Sequence, residues 1–118
     1  MARANRNFVA PRPFACHLPG EIVTALVRHP LESDDVKGKA RPAILLERRG
    51  ARWLVMGLTT RPRFADGTAR ISVPNPAACG LGRRDSFLWG RPTWICALDV
   101  GDRIGRADDA LLELVRLH

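Results

Sequence analysis

The sequence predicts a mainly β domain closed by one C-terminal helix, folded as a small twisted barrel. Short apolar runs rich in β-branched residues alternate with Gly- and Pro-containing turns from residue 20 to residue 97. Only the last segment carries its apolar residues at helical spacing. The chain has 118 residues and an apolar share of 46%, which suits one globular domain and excludes a disordered chain.

Residues 1–19 read as an irregular N-terminal arm, since Pro11, Pro13 and Pro19 interrupt it and no periodicity emerges. The domain proper covers residues 20–118. Its first strand is Glu21–Arg28, followed by a polar loop from His29 to Ala40. Pro42–Glu47 is a continuous apolar run, short enough for a buried strand. A turn at Arg48–Arg52 makes Trp53–Thr59 its hairpin partner. A basic loop spans Arg61–Gly67, and Ala69–Val73 alternates like a short strand stopped by Pro74 and Pro76. Asp85–Trp89 and Thr93–Ala97 are two further short strands. In the helix, Ala107, Ala110, Leu111, Leu114, Val115 and His118 share one face, Asp108 is the N-cap, and Asp109 meets the positive end of the dipole.

Lys and Arg number 19 against 12 Asp and Glu, a net charge of +7. A body this small and this basic favours polyanionic partners: nucleic acid, an anionic membrane surface or an acidic protein. All but Lys37 and Lys39 of the basic residues are arginine, whose planar fork grips phosphate and stacks on bases. A GC-rich coding bias would also exchange lysine for arginine, although it would not create the charge excess. No run approaches the ~20 apolar residues of a membrane span, so no membrane-spanning segment is expected. The first residues lack the apolar stretch of a secretory signal, which predicts a cytoplasmic location. Cys16, Cys79 and Cys96 contain no C-x-x-C pair and read as buried or incidental thiols rather than a disulfide or zinc framework.

Chemistry has few candidates here. There is no phosphate-binding glycine loop, no H-E-x-x-H and no paired metal ligands, so no cofactor is expected. What remains is arginine and threonine at strand edges. In an antiparallel hairpin the start of one strand lies beside the end of the other, so Arg41 and Thr59 would share one rim. A guanidinium and a hydroxyl placed together suit phosphate chemistry, the first binding phosphoryl oxygens and the second relaying a proton. From pattern alone, a solvated strand end and an ordinary β-forming threonine explain the pair as well.

Gly20-Glu21-Ile22-Val23 opening a strand, then Lys39-Ala40-Arg41-Pro42-Ala43-Ile44-Leu45-Leu46, then Gly57-Leu58-Thr59-Thr60, resembles the MazF/PemK (Kid) family of toxins from type II toxin–antitoxin systems. Asp102-Arg103-Ile104-Gly105-Arg106 before the terminal helix is similar to that family too, so the likeness spans about residues 19–118. It implies a compact SH3-like barrel and a homodimer. It implies a metal-independent endoribonuclease, an mRNA interferase, in which the 2′-hydroxyl of single-stranded RNA attacks the adjacent phosphate. Arg41 and Thr59 would be the catalytic residues, Arg41 on the phosphate and Thr59 as acid/base partner. No cofactor is implied, because the nucleophile belongs to the substrate. One departure stands out: where some members carry a second Arg and an Asp, this chain has Leu88 and Gly90, with Arg91 as a replacement cation.

The RNA-binding candidates are Arg28, His29, Lys37 and Lys39 around the first loop, Thr60, Arg61 and Arg63 after the threonine pair, and Arg91. Trp89 and Trp94 could stack on bases, although their apolar runs favour the core. A cognate antitoxin with an acidic tail is implied by the resemblance, and the positive charge would steer it to the toxin. The alternative is a non-catalytic member of the same fold that binds RNA or poisons a topoisomerase, as in the CcdB family. Either way the excess positive charge should cluster on one face.

Overall fold

The longest apolar runs are uninterrupted because their strands are covered on both sides. In the computed structural model of the protein, which describes residues 17–27 and 39–117, six antiparallel strands form one sheet and a helix ends the chain. The strands are β1 (Glu21–Val27), β2 (Lys39–Arg49), β3 (Arg52–Thr59), β4 (Phe87–Leu88), β5 (Thr93–Cys96) and β6 (Val100–Arg106), and the helix is α1 (Asp109–Arg116). Side chains alternate across a strand. Val23, Ala25, Val27, Ala43, Leu45, Trp53 and Val55 therefore bury one face, together with Trp89, Ile95, Ala97 and Val100. Ile22, Ile44, Met56 and Leu58 bury the other, against Val73, Cys79 and Leu88 and against Ala107, Leu111 and Val115 of the helical end.

The β2–β3 hairpin is the spine. It pairs Ala43 with Gly57, Ile44 with Met56 and Leu45 with Val55, then bulges at Leu46 and closes with Arg49 opposite Arg52. Gly50 turns the chain at a φ of +57°, a left-handed conformation that glycine adopts without steric cost. β1 pairs with β2 along Ile22–Val27, and β6 adds to the far side of β1. The opposite edge of β3 is shared, with β5 beside Arg52–Val55 and β4 beside Leu58 and Thr59. Among the described residues no ladder joins β6 to β4 or β5, so the sheet is not closed by hydrogen bonds.

α1 begins where its cap predicts. Asp108 Oδ1 accepts the Leu111 N–H at 2.9 Å, Asp109 lies in the first turn and Arg116 in the last, both favourable to the dipole. Leu111 and Val115 are buried, Leu114 partly so, and Ala110 faces outward. Each fully buried aliphatic side chain contributes about 1.5–3 kcal/mol. His118 of the expected stripe lies outside the described residues.

Two expectations change. Ala69–Val73 is not a strand but makes only the isolated bridges Arg63–Ala69 and Ser72–Phe87. The reason is a change of neighbour midway: the Arg70 N–H bonds the Pro62 carbonyl, whereas Val73 N–H bonds that of Ser86. β2 is longer than the apolar run, since pairing with Val27 at one end and Arg52 at the other carries it across Lys39–Arg49. β6 is not expected from the sequence, being a strand with two glycines and three charged side chains that no propensity favours. Packing demands Gly105 and the Gly80 that faces it. A Cβ at Gly105 would run into the Cys79 carbonyl oxygen, and one at Gly80 would lie 2.8 Å from the Ile104 carbonyl oxygen.

At the start of β1, Glu21 is buried and binds the chain that precedes it. Its Oε1 accepts from the Leu18 N–H at 3.2 Å and meets His17 Nδ1 at 3.3 Å, while Arg103 approaches Oε2 at 3.8 Å. Residues 1–16 of the expected arm lie outside the described residues.

The Gly80–Gly105 contact predicts that Gly105→Ala destabilises the fold by about 2–3 kcal/mol or more, measured by urea unfolding. Cys79 is fully buried, and burial pushes its thiol up by disfavouring the charged thiolate. Alkylation at pH 8 followed by peptide mapping should therefore label exposed Cys96 in the native protein and reach Cys79 only on unfolding.

Candidate active site

The hairpin brings the two expected catalytic residues to one end of one face. Arg41 lies two residues beyond Ala43 on β2, and Thr59 two beyond Gly57 on β3, past the last registered pair. Both have the side-chain parity of Ala43 and Gly57, so they point to the face that holds Trp89. Arg41 also stands opposite Ala25 of β1.

Small residues make this end work. Trp89 follows β4 and donates its N–H to the Gly57 carbonyl at 2.8 Å. A Cβ at Gly57 would come within 2.8 Å of Trp89 Cε3, so the missing side chain is the space in which the indole lies. The indole is 6% exposed and belongs to the core. The Arg41 guanidinium sits over it, with Cζ 3.8 Å from the ring centroid. Such a stack contributes about 0.5–2 kcal/mol and fixes the cation in place. A guanidinium donates in its own plane, so a ring beneath it orients the group without using its N–H bonds.

Thr59 is half-buried and its Oγ1 accepts the Arg61 N–H at 3.2 Å. A hydroxyl holding such a bond keeps its own proton to donate. The chain then enters a tight loop, where Phe64 N–H bonds the Thr68 carbonyl and Gly67 N–H that of Phe64. Hydrogen bonds from Thr68 hold the Asp66 carboxyl at its tip below the usual carboxylate range. Arg63 donates to the Gly67 carbonyl at 2.8 Å.

The RNA-binding candidates separate into groups. Arg61 and Arg63 are exposed on the loop that leaves Thr59, with exposed Thr60 between strand and loop, and exposed Arg91 comes two residues after Trp89. Lys39 opens β2 opposite Val27, two residues from Arg41. Arg28, His29 and Lys37 lie outside the described residues. Leu88 is buried in the second core and Gly90 carries no side chain, so neither supplies a charge, and the exposed cation next in the chain is Arg91.

Two expectations are corrected. Trp94, which its apolar run assigns to the core, is 38% exposed; it pairs with Leu54, five residues and about 16 Å along β3 from Thr59, so it stands away from this end. Among the described residues positive charge does not gather at this end alone, because exposed Arg48, Arg49 and Arg52 surround the hairpin turn at the opposite end. There Arg49 is paired with Glu47 at 2.6 Å and lies over Trp94 at 5.5 Å.

Gly57 and Arg70 escaped the sequence reading as site residues. Gly57 sits inside a quoted motif, but only its contact with Trp89 explains it. Arg70 is half-buried in a run that reads as a short strand, and nothing local marks it. Among the described residues no three His, Cys, Asp or Glu side chains come together as metal ligands, and no helix is long and apolar enough to cross a membrane. No known protein-family model matches the chain, and no curated protein matches it.

Gly57→Ala should displace the indole, costing about 1–3 kcal/mol of stability, and shift the tryptophan emission of the folded state. A variant with unchanged stability and emission would show that Trp89 does not depend on the space at Gly57.

Proposed function

We propose that the protein is a metal-independent endoribonuclease of the MazF/PemK toxin family, acting on single-stranded RNA from a compact SH3-like barrel. The observation that carries this reading is the placement of Arg41 and Thr59 at the same end of the β2–β3 hairpin, with Arg41 seated on Trp89. An arginine held in place by packing is preorganised for charge that develops on a phosphate, and preorganisation is the largest single contribution in many enzymes.

The reaction is the one that the family resemblance implies. The 2′-oxygen bonds to the adjacent phosphorus as the bond to the 5′-oxygen breaks. The products are a 2′,3′-cyclic phosphate and a free 5′-hydroxyl. Arg41 donates hydrogen bonds to the non-bridging oxygens while charge builds on them. The 2′-hydroxyl gives up its proton and the leaving 5′-oxygen takes one up, and the Thr59 hydroxyl, oriented by the Arg61 N–H, relays that proton between them. Arg61, Arg63 and Arg91 hold flanking phosphates, an electrostatic contribution that weakens with salt. The same reading carries a homodimer, a cytoplasmic location and an antitoxin with an acidic tail.

A second reading has its own support. With Leu88 in the core and Gly90 uncharged, this end lacks the Arg and Asp of some family members. That favours a non-catalytic protein of the same fold that binds RNA or poisons a topoisomerase.

One experiment separates them. Purified protein is incubated with mixed-sequence single-stranded RNA in EDTA, and product ends are analysed. The nuclease reading expects cyclic-phosphate ends, with Arg41→Ala slower by about 100-fold or more and Thr59→Ala by about 100-fold. Intact RNA that is nevertheless bound, with the wild-type protein, supports the second reading. Cleavage unaffected by Arg41→Ala removes Arg41 from the mechanism.

A further inference from the structure

We infer that Arg70 is a positioning residue, a pin that fastens the loop carrying Arg61 and Arg63 to the tryptophan on which Arg41 rests. The guanidinium reaches three carbonyls from two separate segments. Its Nε donates to Trp89 O at 3.0 Å, and one terminal nitrogen donates to Arg63 O at 2.9 Å and to Arg61 O at 3.3 Å. Its planar face lies over the Phe64 ring with Cζ at 4.5 Å. The backbone joins in, because Arg70 N–H bonds the Pro62 carbonyl at 2.8 Å.

Those contacts define a role different from that of its neighbours. Arg61 and Arg63 are exposed and present charge outward, whereas Arg70 is half-buried and directs its donors inward to main-chain oxygens. Loop carbonyls crowded together repel one another, and a cation among them offsets that repulsion while holding their spacing. Only arginine fits the task. A lysine ammonium is a single point that cannot span three carbonyls and lie flat on a ring together. Arg70 thereby links the two halves of the candidate site: the loop that follows Thr59, and Trp89 with its cargo Arg41.

For RNA the consequence is one of binding geometry, and this part rests on the nuclease reading. Releasing the pin frees Arg61 and Arg63 from their places beside Thr59, so RNA affinity falls more than the chemical step.

Two readouts test the pin in Arg70→Lys, which keeps charge and length, and in Arg70→Ala. The first needs no RNA. Limited trypsin digestion with mass mapping follows the Arg63–Phe64 bond, since the Arg61–Pro62 bond resists trypsin. Both variants should be cut there about tenfold faster than the wild type, while sites other than residue 70 itself keep their rates. An unchanged rate at Arg63 overturns the pin. The second readout is the Kd for a 2′-O-methyl single-stranded oligonucleotide, which binds without being cleaved, together with kcat and KM on RNA. Weaker binding by about tenfold, with KM raised and kcat within about threefold, is expected in Arg70→Lys. Faster loop cleavage with unaltered RNA affinity overturns the positioning role. A wild-type protein that binds no RNA overturns the nuclease reading instead, while the trypsin result still decides the pin.

Discussion

The contact between Trp89 and the bare backbone at Gly57 is the constraint on which the candidate site depends. An indole is a large body, and it can enter the core beside β3 only where a strand residue has no side chain. The main-chain N–H of Trp89 is bound to the Gly57 carbonyl, so β4 and β3 stay in register at the point where Arg41 needs support. A flexible, charged side chain thereby gains a rigid apolar seat. Arg41 is held by packing as well as by charge, and the Trp89 carbonyl receives Arg70 on the same residue.

Much of the positive charge is bound to the chain itself. Arg70 joins Trp89 to the 61–64 loop, Arg63 closes that loop on Gly67, Arg48 donates to the Gly50 carbonyl, and Arg49 pairs with Glu47. Arginine suits this work because its fork satisfies several carbonyls at once. These bonds leave the net charge of +7 intact, but they engage part of the donors that a polyanion would otherwise meet. Among the described residues charge is distributed over both ends of the β2–β3 hairpin, and the proposed chemistry belongs to the end where Trp89 and Thr59 stand.

The legible parts of this fold are those with local causes. The β2–β3 hairpin was readable because two apolar runs flank a turn with glycine, and from it the shared rim of Arg41 and Thr59 followed directly. The helix was readable from its stripe and from Asp108. β6 was not, because its glycines and charges contradict strand propensity, and only the close approach of Cys79 and Gly80 explains them. Ala69–Val73 misled for the opposite reason, alternating like a strand while its hydrogen-bonding partner changes midway. Arg70 was illegible because its three acceptors lie 7 to 19 residues away along the chain.

By itself the sequence determined a mainly β chain with a capped C-terminal helix, a basic surface, and an arginine and a threonine at the same end of a hairpin. Those properties follow from periodicity, turn chemistry and antiparallel pairing, which act over a few residues or across one turn. Tertiary structure alone decided that Trp89 carries Arg41 instead of facing a base, that Trp94 stands elsewhere, and that Arg70 ties loop to sheet. Each is a contact between residues far apart in the chain, set by which side chain is absent at Gly57 and which carbonyls the loop leaves unpaired by other strands.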